Sequence, residues 1–119
     1  MKRRRAQPEA QLQAAVCQHL ERRAIPGLVW FHVPNSGKRE PRSAAILKRL
    51  GVKAGVADLI FIKPIEGVAY ALELKAPKGK PTEAQNEFLR AVANAGGHAA
   101  VASSLDDALR LLGMWGLIR

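Results

Sequence analysis

Three charged side chains interrupt two otherwise apolar runs of this chain: Asp58 lies in the run from Val56 to Lys63, and Glu73 and Lys75 lie in the run from Val68 to Lys75. Between them stands Pro64-Ile65-Glu66-Gly67, the punctuation of a β-hairpin. A connection with an even number of residues puts Asp58 and Glu73 on one face of the paired strands. They sit directly opposite each other if the turn centres on Ile65 and Glu66. Lys75, two residues beyond Glu73, projects from the same face, because side chains alternate along a strand. Leu59, Phe61, Leu72 and Leu74 occupy the other face, where they can pack on helices.

Two carboxylates opposed across a strand pair, with Cβ atoms ~5 Å apart, repel, and sequences normally avoid the arrangement. Something positive belongs between them. Oxygen ligands at that separation suit a hard cation such as Mg²⁺ or Mn²⁺, which keeps waters and also binds the phosphate oxygens of a substrate. Such a metal polarises a phosphodiester and supplies a hydroxide nucleophile, while Lys75 would orient that water or steady developing charge. The competing reading is an ion-pair cluster in which Lys75 alone neutralises Asp58 and Glu73. Two features favour chemistry: all three charges break strongly apolar strands, and Gly51, Lys53 and Gly55 prepare a basic, flexible approach to Asp58.

The elements that must position these groups can be read from periodicity and punctuation. Pro8 to about Arg23 reads as a helix, with Leu12, Val16 and Leu20 at helical spacing and Pro26-Gly27 as its end. Leu28 to Val33 reads as a strand running into the loop Pro34-Asn35-Ser36-Gly37, and Ser43 to Leu50 as a short helix stopped by Gly51. After the hairpin, Thr82 and Gln85 stand in capping-box register at the head of a helix running to Ala95, with Gly96-Gly97 as the stop. His98 to Ala102 forms a short strand, and Ser104 caps a last helix through Leu112. The order helix, strand, helix, strand, strand, helix, strand, helix predicts one α/β domain over residues 1–119, with 1–7 as a basic, flexible tail.

Composition narrows the partner. Nineteen Lys and Arg against ten Asp and Glu give a formal charge of +9, enough to attract a polyanion over long range. Nucleic acid is the expected partner. No apolar run approaches the ~20 residues that span a bilayer, and no secretory signal follows the basic start, so the expectation is a soluble cytoplasmic protein. The single Cys17 excludes an internal disulfide, and His19, His32 and His98 lack zinc-ligand spacing, so each reads as structural, with His32 able to line the cleft. Gly79-Lys80-Pro81-Thr82 is not a phosphate-binding loop, because Leu74 stands where its first glycine should be. No Gly-x-Ser-x-Gly motif is present, and covalent hydrolase chemistry has no support.

Gly55-Val56-Ala57-Asp58-Leu59, Ala71-Leu72-Glu73-Leu74-Lys75 and Thr82-Glu83-Ala84-Gln85, in that order, resemble the PD-(D/E)xK nuclease superfamily, and specifically its virus-type replication-repair (VRR-NUC) branch. The resemblance spans Glu9 to about Val101. Gly-Val-Ala-Asp stands where the superfamily name has Pro-Asp, a departure common in the branch. The resemblance implies a restriction-endonuclease-like core, a central mixed β-sheet flanked by helices. It also implies Mg²⁺ or Mn²⁺ held by Asp58 and Glu73, with Lys75 assisting hydrolysis of DNA. Glu9 matches the family's acidic residue on the first helix, which completes the metal site directly or through water; an acid in a first helical turn is equally favoured by the helix dipole alone. Gln85 matches a glutamine near the reacting centre, although closing the capping box would also account for it.

Asn35, Ser36 and Gly37 resemble the loop bordering the DNA channel. Lys38, Arg39, Arg42, Lys48, Arg49 and Lys53 before the hairpin, and Lys78 and Lys80 after it, are natural phosphate contacts. Stand-alone members of the branch resemble homodimers that cut branched DNA such as Holliday junctions in repair. A homodimer is also expected from Leu111, Leu112, Met114, Trp115, Leu117 and Ile118, which carry more apolar area than one short helix needs, unless the tail folds back on its own monomer. The alternative function is a basic DNA-binding module without catalysis.

Overall fold

The computed structural model describes residues 2–34 and 41–119. The elements follow the expected order: α1 (Lys2–Arg23), β1 (Val29–His32), α2 (Pro41–Arg49), β2 (Leu59–Ile62), β3 (Ala69–Leu74), α3 (Glu83–Asn94), β4 (His98–Ala102) and α4 (Leu105–Met114). The largest difference is at the start, where α1 runs from Lys2 and encloses Pro8. Pro8 there lacks the N–H that would bond the Arg4 carbonyl, and its ring crowds that carbonyl, so the turns before it are the weakly held part of the helix.

The four strands form one mixed sheet in the order β1-β2-β3-β4, antiparallel across the first two pairings and parallel between β3 and β4. The hairpin pairs Leu59 with Leu72 and Phe61 with Tyr70, the register that places Asp58 opposite Glu73. Its connection is a four-residue loop, Pro64 to Gly67, closed by Lys63 N donating to Val68 O and Gly67 N to Lys63 O, each at 2.9 Å. Four residues, like two, keep the parity on which the shared face depends.

One sheet face carries Leu59, Phe61, Tyr70, Leu72 and Leu74 into a core completed by Val16 and Leu20 of α1 and by Ala108 and Leu112 of α4. Ser104 caps α4 by accepting from Asp107 N. Toward the other face, α3 packs along β3 and β4. Gly55 lets the chain leading into Asp58 press against the head of α3. Its φ is +80°, and a Cβ there would collide with the Ala84 carbonyl group.

The C-terminus corrects the expectation of spare apolar surface. Leu112, Leu117 and Ile118 are buried, Ile25 N donates to Leu117 O, Arg119 N donates to Arg23 O, and Trp115 tilts onto Tyr70 at 5.2 Å. The tail folds back because α1 ends beside it with open backbone groups. Of the apolar residues singled out there, only Met114 stays well exposed.

Candidate active site

Asp58 is the last residue before β2, and three bonds fix it. Val33 N at 2.9 Å and His32 Nδ1 at 2.8 Å both donate to its carbonyl oxygen, and Leu74 N donates to its carboxylate Oδ2 at 2.7 Å. Antiparallel pairing with β1 and β3 therefore sets the carboxylate's position. Glu73 lies across the hairpin on the same face, only 2% exposed. Its Oε2 faces Lys75 Nζ at 3.4 Å and accepts from Gln85 Nε2 at 2.9 Å. Its Oε1 is buried with no hydrogen-bond partner among the described residues.

This arrangement strains the ionised form. Burial, and then the charge of Asp58, push Glu73 up to about 7, against the pull of Lys75. Burial also raises Asp58, opposed by the Leu74 amide and by the charge of His32. Two neighbouring carboxylates, one with an unsatisfied oxygen, are donors of the kind that would suit a hard cation. Mg²⁺ is held in many sites by one or two carboxylates, with waters filling the rest. Among the described residues, no group of three or more His, Cys, Asp or Glu could hold a metal ion unaided.

Gln85 has two partners. Its Oε1 accepts from Thr82 N at 2.8 Å, its backbone N donates to Thr82 Oγ1 at 3.1 Å, and its Nε2 reaches Glu73. Capping and a place at the site are thus compatible, since one amide end serves each. Glu9 lies beyond the first turn of α1, because the helix starts at Lys2, and so loses the helix-dipole account. Its Oε2 accepts from Ala76 N at 3.3 Å, which ties α1 to the backbone just after Lys75. Arg42, Lys48, Arg49, Lys53, Lys78 and Lys80 are all exposed to solvent. Asn35, Ser36, Gly37, Lys38 and Arg39 lie outside the described residues.

Gln13 was not singled out from the sequence, yet it lines a cleft with Glu9, Ala10, Ala14, His32 and Asp58. The available signal was its position four residues after Glu9, on the same helix row.

The model of the VRR-NUC domain matches residues 7–106. The chain belongs to the VRR-NUC family. The family is one of nucleases, and the motif-bearing hairpin falls wholly inside the matched span. A solved VRR-NUC domain protein is 26% identical and superposes with a TM-score of 0.73, over 91% of this chain and 87% of that one. Another solved VRR-NUC domain, 19% identical, shares the fold at a TM-score of 0.61, over 91% of this chain and 97% of the other. No curated protein matches the chain. The mixed sheet flanked by helices is the restriction-endonuclease-like α/β fold expected of a VRR-NUC domain. Among the described residues no helix is long and apolar enough to cross a membrane.

Proposed function

We propose that this VRR-NUC protein is a divalent-metal-dependent deoxyribonuclease that hydrolyses phosphodiester bonds, with branched DNA as its preferred substrate. The observation that carries the proposal is the opposed pair Asp58 and Glu73, with Glu73 raised to about 7 and its Oε1 unpartnered. Asp58 and Glu73 would hold Mg²⁺ or Mn²⁺, with Glu9, tied to Ala76 N, acting through water. When bound, the metal polarises the scissile phosphate and acidifies a water.

The remaining work falls to the chain. Lys75, almost buried and anchored on Glu73, offers a fixed positive charge to the attacking water and to the negative charge that builds on the phosphoryl oxygens. Gln85 holds the Glu73 carboxylate in one orientation, and the Leu74 amide does the same for Asp58. The basic residues around the hairpin would bind DNA backbone on either side of the cut, consistent with the formal charge of +9. Symmetric cutting of a junction calls for two copies. Since the C-terminal tail is buried, a pairing face would lie elsewhere; Val29, Phe31 and Ile62, exposed on neighbouring strands, form the open apolar part of the sheet.

The test is incubation with duplex, single-stranded, flap and four-way DNA in Mg²⁺, in Mn²⁺ and in chelator. Cleavage that needs the cation and favours the branched forms is expected. DNA binding with no cleavage in either metal would replace this proposal with a non-catalytic binding module.

A further inference from the structure

The helix α2 contributes little to the fold. Among the described residues no strand or other helix packs broadly against it, and from Arg42 to Leu50 only Leu47 is partly buried. The way the helix ends accounts for two of its apolar neighbours. Gly51 takes φ +98°, its N–H donates to Lys48 O at 3.0 Å, and Val52 N–H donates to Leu47 O at 3.0 Å. This double closure goes with an apolar contact between the residues at its two ends, here Leu47 and Val52. Ile46 and Leu50 have no such use. They lie four residues apart on one helix row, 43% and 75% exposed, and Leu50 stands at the blunt end where the chain turns away.

The same row begins with Arg42, and Arg49 lies one turn from Ile46. An apolar pair bracketed by two arginines calls for a ligand that is anionic and apolar at once. A second copy of this chain does not meet that requirement, because pressing two such faces together opposes like charges. A membrane surface fits poorly as well, since a helix of nine residues offers two apolar side chains where an interfacial helix buries a long apolar face. DNA, the substrate that a nuclease domain implies, carries phosphates outside and has the faces of its bases as apolar surface.

In a continuous duplex those faces are covered by their neighbours, and they come free where stacking is interrupted, as at a branch. Leucine and isoleucine are among the side chains that proteins insert between base steps. We propose that Leu50, backed by Ile46, wedges against the unstacked base pair at a branch while Arg42 and Arg49 hold the flanking phosphates. Gly55 follows Leu50 by five residues, at most ~18 Å of chain. Gly55 in turn abuts Ala84 at the head of α3, whose Gln85 reaches Glu73. Wedge and cut therefore fall within one turn of duplex, ~34 Å. The inference rests on the nuclease proposal for its use, the choice of branched DNA for cutting, but the contact itself needs no cleavage.

The test measures binding in chelator to a flap carrying 2-aminopurine in the base pair next to the branch, and to a continuous duplex with the same probe. Wild type is expected to raise the probe's fluorescence on the flap alone. Leu50→Gln keeps the charge and alters a side chain that is already exposed. It should abolish the rise and weaken flap binding about tenfold, the scale of one leucine left unburied, with duplex binding and its salt dependence unchanged. Leu50→Met should retain the response. Ile46→Gln should weaken it, and supplies a second route if Leu50→Gln lowers the melting temperature. Arg49→Gln, by contrast, should weaken both DNAs and make the salt dependence shallower.

A wild type that leaves the probe unchanged, an equal rise with Leu50→Gln, or equal weakening of flap and duplex by that variant overturns the wedge. So does a fall in mass on light scattering with Leu50→Gln, which would assign the face to a second copy. A rise that Leu50→Gln removes, in a protein that cuts no DNA in Mg²⁺ or Mn²⁺, upholds the wedge and overturns the nuclease.

Discussion

The two ends of the β2–β3 hairpin each break a rule of local structure, and they break it differently. At the open end, Asp58 and Glu73 oppose like charges across paired strands, where such pairs are destabilising. At the closed end, Ile65 holds φ at +73°, a conformation that a β-branched residue rarely adopts. At the open end other elements enforce the arrangement: Gln85 from α3, His32 from β1 and the Leu74 amide all bond the offending pair. At the closed end the Ile65 side chain is fully exposed, and among the described residues no element packs over it. Strain held in place by distant elements marks a site with work to do, whereas strain held only by its own turn, here by Glu66 N donating to Pro64 O, marks a tolerated one.

The largest effect should come from relieving the strain at the open end. Asp58→Ala, Glu73→Ala and Lys75→Ala are each expected to lower single-turnover cleavage by at least ~10²–10³-fold, the scale of losing one preorganised charge-stabilising group. Glu73→Ala should at the same time match or exceed wild type in chelator by thermal melting. Cleavage near the wild-type rate by Lys75→Ala would remove that residue from the mechanism and leave it as the neutralising partner of Glu73.

Gly55→Ala breaks the comparison from outside the hairpin. The new methyl would need a positive φ and would meet the Ala84 backbone, so the segment carrying Asp58 and the head of α3 carrying Gln85 must separate. The expected cost is several kcal/mol, in the range of overpacking combined with backbone strain. Urea unfolding measures it, and a loss below ~0.5 kcal/mol would show that the contact yields freely.

Gln85→Ala should be milder because two modest contributions go together. The cap is worth about 1 kcal/mol, and an orienting contact to a metal-binding carboxylate about 10–100-fold in rate. Gln85→Glu separates the two: it can still cap, but it puts a third carboxylate beside Glu73. Capping alone would leave Gln85→Glu as active as wild type.

Much of this region was legible because it is local. Hairpin parity follows from loop length, the capping box from a three-residue spacing, and β4 and its glycine stop from punctuation. What escaped depends on distant pairing. Proline's preference for helix starts hid the turns of α1 before Pro8. Glu9 meets Ala76, 67 residues away, and nothing local announces it. The apolar C-terminus suggested a partner because composition reveals an apolar face but not what covers it. Here the cover is the end of α1 and Tyr70.

Acidity probes the open end without mutation. The folded Glu73 binds its proton up to about pH 7, whereas in the unfolded chain it lets go near 4.5. The folded state therefore holds the extra proton between those values, and stability in chelator should fall as pH rises through that window. A melting series from pH 5 to 8 should slope downward by several degrees. Glu73→Gln should flatten it, and Mn²⁺ should offset the loss at high pH. A flat profile would mean that the carboxylate is better solvated than its burial implies.

The smallest effect belongs to the closed end. A non-glycine residue in the left-handed region costs ~1 kcal/mol, and glycine or asparagine removes most of that cost. Ile65 gives nothing back through packing, since its side chain is exposed. The loop's hydrogen bonds, Lys63 N to Val68 O, Gly67 N to Lys63 O and Glu66 N to Pro64 O, involve neither its amide nor its carbonyl, although the last spans Ile65. Ile65→Asn is accordingly expected to raise the melting temperature by a few degrees, with the register, and hence the opposition of Asp58 and Glu73, unchanged. Cleavage should stay at the wild-type rate. Since a one-residue slip would send Glu73 to the core face, any loss of activity in this variant would show that the turn, and not the pairing of Leu59 with Leu72, sets the register.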